Sequence, residues 1–142
     1  MSVPKSTAYR LEDQVGFLIR KAGQRHTAIF AERMIEELTP TQWAALAKIA
    51  ELGSVSQNRL GRDIAMDGAT IKGVIDRLLK RGFVTTDPDP ADSRRSLIAL
   101  TVQGNDAVEK GRPVAAAITE ETLTGLTSGE RQMLLELLRK IA

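Results

Sequence analysis

Between Ala69 and Arg81 the chain carries Lys72, Arg77, Lys80 and Arg81 against a single acid, Asp76. A local cationic excess of this kind can neutralise phosphates, although the whole chain has a net charge of only +2. The same stretch is rich in very small residues, Gly68, Ala69, Thr70 and Gly73, so its backbone can come close to another surface. Lys72 can donate to guanine acceptors, while Thr70 and Ala69 can pack against thymine methyl groups. Arg77 and Lys80 suit phosphates; Arg81 suits the negative end of a helix dipole. A second cationic group, Arg94 and Arg95, closes the run Asp87-Pro88-Asp89-Pro90-Ala91-Asp92-Ser93-Arg94-Arg95. An arginine pair there fits phosphates or a narrow minor groove, or else tethers to Asp92 and the other acids of the run. Bond-making chemistry is much harder to assemble. It needs a nucleophile with its base, or a metal cage, and the chain has one histidine and no cysteine. No enzyme activity, metal site or cofactor is expected.

The elements that would hold these groups follow from periodicity. Ile71, Val74, Ile75, Leu78 and Leu79 recur at i, i+3, i+4, i+7 and i+8, one face of a helix capped by Asp67 and ended at Gly82. The opposite face is Ala69, Lys72, Gly73, Asp76, Arg77 and Lys80. Glycine inside a helix costs roughly 1 kcal/mol relative to alanine, so Gly73 implies close approach: to a DNA major groove, or to another protein helix. Ser56, counted with the DNA-facing residues, caps a preceding short helix bearing Leu60 and Ile64, and a turn at 65–67 completes a helix-turn-helix. Phe83 to Thr86 and Ser96 to Thr101 are strand-like, with Ile98 and Leu100 on one face. The run between them is longer than an ordinary hairpin loop and is expected to form an extended tip.

Flanking helices complete the pattern. Residues 1–7 are polar and expected to fray. Tyr9 to Glu37, with no internal proline, reads as one long helix bent near Gly16 or Gly23. Thr39-Pro40-Thr41-Gln42 is a helix start with a capping box, with Leu38 and Trp43 placed as a hydrophobic staple. Thr101 caps a further helix that Pro113 can bend or restart. Thr127 and Glu130 form a second capping box ahead of the apolar stripe Met133, Leu134, Leu137, Leu138 and Ile141. A terminal stripe of this kind suits a subunit interface.

At 142 residues, 42% hydrophobic and 27% charged, the chain is expected to be one integrated folded domain. The absence of cysteine is compatible with a reduced cytoplasm. No stretch approaches the roughly 18 apolar residues of a membrane span, and residues 1–9 lack the core of a signal peptide, so a cytoplasmic, membrane-free location is expected.

In this order and spacing, three segments resemble the MarR family of bacterial transcription regulators. They are Leu38-Thr39-Pro40-Thr41-Gln42-Trp43, the run from Val74 through Asp76-Arg77-Leu78-Leu79-Lys80-Arg81-Gly82-Phe83 to Val84, and Asp92-Ser93-Arg94-Arg95 leading to Ile98-Ala99-Leu100-Thr101. The resemblance implies a mainly α (α+β) winged helix-turn-helix homodimer. Residues 1–37 and 102–142 would supply the dimerisation helices and 38–101 the DNA-binding lobe. Gly68 to Gly73 would face bases, Arg94 would enter the minor groove, and Asp92 would orient it. Ser93 departs from the basic residue often found there, leaving Arg95 to replace that charge. The family commonly responds to small phenolic or aromatic carboxylate compounds held between the dimerisation helices and the DNA-binding lobe. Here His26, Phe30 and Trp43 are candidate lining and Arg20 or Arg25 the carboxylate partner. The implied function is a ligand-responsive repressor bound to double-stranded DNA at a pseudo-palindromic operator. The competing readings are a winged-helix protein-interaction module and a DNA binder with no effector.

Overall fold

Side-chain caps at the helix starts decide most of the architecture. In the computed structural model, which describes residues 8–142, the elements are α1 (Val15–Arg33), α2 (Pro40–Leu52), β1 (Ser54–Ser56), α3 (Gln57–Asp63), α4 (Gly68–Lys80), β2 (Val84–Asp89), β3 (Asp92–Leu100), α5 (Val102–Thr122) and α6 (Ser128–Ile141). The fraying expected of residues 1–7 lies outside the described residues. Thr39, Ser56, Asp67, Thr101 and Thr127 each accept a backbone N–H three residues on, starting α2, α3, α4, α5 and α6. Thr39 with Gln42 and Thr127 with Glu130 are complete capping boxes, each threonine contributing about 1 kcal/mol.

Three expectations are corrected. The N-terminal helix is not continuous from Tyr9 to Glu37: a single 3-10 turn at Leu11–Asp13 precedes α1, and Met34 leaves it in extended conformation (φ −68°, ψ 141°). Met34 and Leu38 are both drawn into the core, with Ile35 packed against it, and this tertiary demand turns the chain where the local sequence carries no stop signal. The short turn Ile35–Glu37 places Glu36 and Glu37 at φ 58° and 53°. Second, α5 does not restart at Pro113 but runs through it as one helix; Pro113 and Glu109, whose carbonyl the missing N–H would have met, are both on exposed positions. Third, the wing has no long loop. β2 and β3 pair as far as Pro88 with Ser96 and, after an irregularity, Asp89 with Asp92, leaving Pro90 and Ala91 as the turn. The Asp89 carboxylate accepts the Ala91 N–H at 2.9 Å and Asp92 accepts that of Arg94 at 3.1 Å, so residues of poor strand propensity extend the hairpin through side-chain bonds.

The sheet is antiparallel in the order β1-β3-β2, so β2 is an outer strand. β1, unexpected from the sequence, sets Val55 opposite Ile98, both 2% exposed. Leu46 and Ile49 of α2, Leu60 of α3 and Ile71, Val74, Ile75 and Leu78 of α4 join Phe83 and Ile98 in one core. Leu79 does not: it is 37% exposed and faces the wing. Two glycines mark contacts that permit no side chain. A Cβ on Gly104 would collide with the Phe83 carbonyl oxygen, and one on Gly111 with the Trp43 indole. The wing base and α2 are thereby seated directly on α5.

Candidate functional site

The exposed edge of α4 is built from its cap. Asp67 Oδ1 accepts the Thr70 backbone N–H at 2.7 Å, and the hydrogen bonds from Thr70 hold this carboxyl below the ordinary aspartate value of 3.8. The first turn, Gly68, Ala69 and Thr70, is therefore fixed while remaining exposed. Lys72 lies one turn further along and pairs with Asp76 across 3.0 Å, an i,i+4 contact on the helix surface. Arg77 and Lys80 follow on the same exposed side, without an ion pair among the described residues. A Cβ on Gly68 would meet open space, and one on Gly73 only the Arg77 guanidinium at 3.4 Å. Packing within the chain thus leaves room for a methyl group at both positions.

The wing presents its cations differently. Asp92 receives the Arg94 backbone N–H and Nε at 3.1 Å and its terminal nitrogen at 3.3 Å, yet the Arg94 side chain stays 89% exposed. The Arg94 side-chain hydrogen bonds, followed by its backbone bond, hold Asp92 below 3.8, so the acid that orients the arginine is ionised near neutrality. Arg95 turns back between Asp89 (3.7 Å) and Asp92 (3.9 Å). With Ser56, Asn58, Asp76, Leu79 and Thr86 it lines a cleft of about 340 Å³ between α3, α4 and the wing. Ser56 also caps α3, its hydroxyl accepting the Arg59 N–H at 3.3 Å. Asn58 was not singled out from the sequence; its signal is its position in the first turn of a capped helix.

Arg81 is also placed unexpectedly. Instead of only facing the α4 terminus, its guanidinium lies 4.8 Å above the Phe83 ring and donates to the Glu36 carbonyl. At the far end of the molecule, Arg25 donates to the carbonyls of Thr122 and, at 3.0 Å, Glu121. His26 Nδ1 lies 2.8 Å from the Thr122 hydroxyl. Both residues border an open apolar groove of about 660 Å³ that includes Leu18, Ile19, Leu123, Leu134 and Leu138. The other effector candidates lie elsewhere. Arg20 is exposed on α1, about 140° around the helix from Arg25. Phe30 is 4% exposed in the core, its ring 6.2 Å from that of His26. Trp43 packs over Gly111.

Among the described residues no helix is long and apolar enough to cross a membrane, and no cluster of three or more metal-ligating side chains occurs. A helix-turn-helix with a two-stranded wing defines the winged-helix class, and comparison with known proteins narrows it. The MarR family model matches residues 38–96. The chain is 40% identical to the HTH-type transcriptional repressor NicR of Pseudomonas putida, over 96% of its own length and 87% of that protein's. It superimposes on Bordetella bronchiseptica BpsR, whose DNA binding is regulated by 6-hydroxynicotinic acid, with a TM-score of 0.90 at 39% identity, covering 94% of this chain and 96% of that one. A mutant of Escherichia coli MarR complexed with operator DNA gives 0.83 at 26% identity, covering 89% and 92%. The chain belongs to the MarR family, and is a transcription regulator rather than an enzyme.

Proposed function

We propose that the chain works as a homodimeric repressor that reads a pseudo-palindromic operator and releases it on binding a small aromatic carboxylate. The bare N-terminal edge of α4 carries this reading: Gly68 and Gly73 are spacious positions whose lack of a side chain serves nothing inside the chain. A major groove makes that demand, because side chains at those positions would hold the helix off the base edges. Thr70 and Lys72 would meet bases, Arg77 and Lys80 phosphates, and Arg94 the flanking minor groove. Ser56 and Arg95 would border the same DNA from the cleft.

Pairing of two copies is supported by what α1 and α6 leave outside. Val15, Leu18 and Ile19, with Met133, Leu137, Leu138 and Ile141, are between 40% and 68% exposed. Residues 1–37 and 102–142 would bury these faces against a second copy, while 38–101 carries DNA; a two-fold pair presents its two α4 helices to major grooves about 34 Å apart. The similarity to BpsR, with its heteroaromatic acid, supports an effector of that chemistry here. Arg25 and His26 at the groove rim offer a cation and a ring N–H to a carboxylate. Such a ligand releases DNA only by binding more tightly to a dimer whose α4 spacing is wrong for the operator.

The experiment is an anisotropy titration of duplexes footprinted from the DNA upstream of the gene, repeated with 6-hydroxynicotinic acid. Tight binding that falls steeply with salt, and weakens as the acid is added, is expected. Arg94→Ala is expected to lower operator affinity about tenfold at fixed salt. Salt-insensitive binding would point instead to an apolar protein partner.

A further inference from the structure

We infer that Arg81 is a positioning residue that sets the angle of the recognition helix α4 against the dimerisation helix α1, by clasping the linker between α1 and α2. The inference rests on the proposed dimeric, operator-reading function. Its basis is a geometry unrelated to the DNA-facing edge. Three non-glycine residues among those described have positive φ, and two of them, Glu36 and Glu37, are consecutive in this linker. Left-handed backbone is costly for residues with a Cβ and persists only where neighbouring structure imposes it. Two anchors do so from the linker's ends, since Met34 is 8% and Leu38 3% exposed. The third is Arg81, the residue that ends α4. Its guanidinium donates to the Glu36 carbonyl, lies 4.0 Å from the Glu36 carboxylate, and rests 4.8 Å above the Phe83 ring, itself 2% exposed. A planar cation that stacks on a ring and donates from its edge at once is bound in one orientation, which lysine cannot reproduce.

The linker is the covalent path from α1 into the DNA-reading lobe. Arg81 joins that path to the end of α4, so the tilt of α4 follows the linker. For one lobe on random-sequence DNA the tilt matters little, because phosphate contacts are forgiving. For two lobes that must enter successive grooves together it matters a great deal.

Arg81→Lys keeps the charge and loses the stacked, edge-donating plane. Its affinity for the footprinted operator is expected to fall about tenfold, with affinity for a scrambled duplex of equal length within about twofold of the parent. The slope of operator affinity against salt should stay unchanged. Glu36→Pro, which lies off the DNA face and whose φ, fixed at about −65°, excludes the left-handed turn, is expected to show the same split. Melting temperature and dimer mass are measured for both variants. Parent-like operator binding by Arg81→Lys would mean that only its charge matters and would overturn the inference. So would a parallel loss on both duplexes, or a Glu36→Pro variant indistinguishable from the parent. A parent protein that prefers no upstream duplex overturns the proposed function itself, an outcome distinct from these.

Discussion

Gly73 is informative by its residue type alone, because its cost in a helix must be offset somewhere. The structure sharpens the point by leaving room for a Cβ there. Gly73→Ala is therefore expected to raise unfolding free energy by about 0.5–1 kcal/mol in urea titrations while weakening operator binding, a gain and a loss measured on one variant. Asp92 supplies the pH dependence at this scale. Its folded-state value lies below 3.8, so its support of the wing is complete above that pH and is lost as pH falls through the lower folded value. A carboxyl NMR titration should find the Asp92 midpoint below 3.8, moving back toward it in Arg94→Ala. The pairing of Asp92 with Arg94 is legible because the partners are two residues apart. The clasp of Arg81 on Glu36 is not, since the partners are 45 positions apart and nothing local announces them.

At the scale of elements, helix starts are the most legible feature. Thr39, Asp67, Thr101 and Thr127 cap where their sequence context demands, because a cap is a bond made within four residues. Ends and strands are less so. The break after Arg33 reflects burial of Met34 and Leu38, and the length of the wing reflects carboxylate bonds to backbone that compositional rules assign to loops. The seat of the wing on α5 is equally tertiary. Thr101 donates its hydroxyl to the Gly82 carbonyl at 2.6 Å and accepts the Gly104 N–H at 3.0 Å, beside the point where Gly104 meets the Phe83 carbonyl. Gly104→Ala should force that joint open and cost about 3 kcal/mol, measured as a lower urea midpoint with an unchanged slope.

For the whole molecule, the apolar stripe of α6 is legible as surface that its own chain does not cover: in the structure no α6 residue is fully buried, which supports the proposed pairing of two copies. Leu137→Glu is expected to halve the mass found by light scattering, and to reduce operator affinity by about a hundredfold or more as two-site binding is lost. The residues of the apolar groove are the least legible part. One long helix shows all its faces in sequence, and only the packing of α5 and α6 separates Arg25 and His26, on the groove, from Arg20 and Phe30 of the same helix, while Trp43 of α2 packs over Gly111. The outer position of β2 carries a further consequence. A free strand border invites another chain to add to it, and aggregation begins that way. Here the outer strand holds Pro88 between the negative charges of Asp87 and Asp89, and proline and charge on an outer strand both oppose such pairing. The wing is therefore unavailable as a template for stacking one molecule on the next at high concentration.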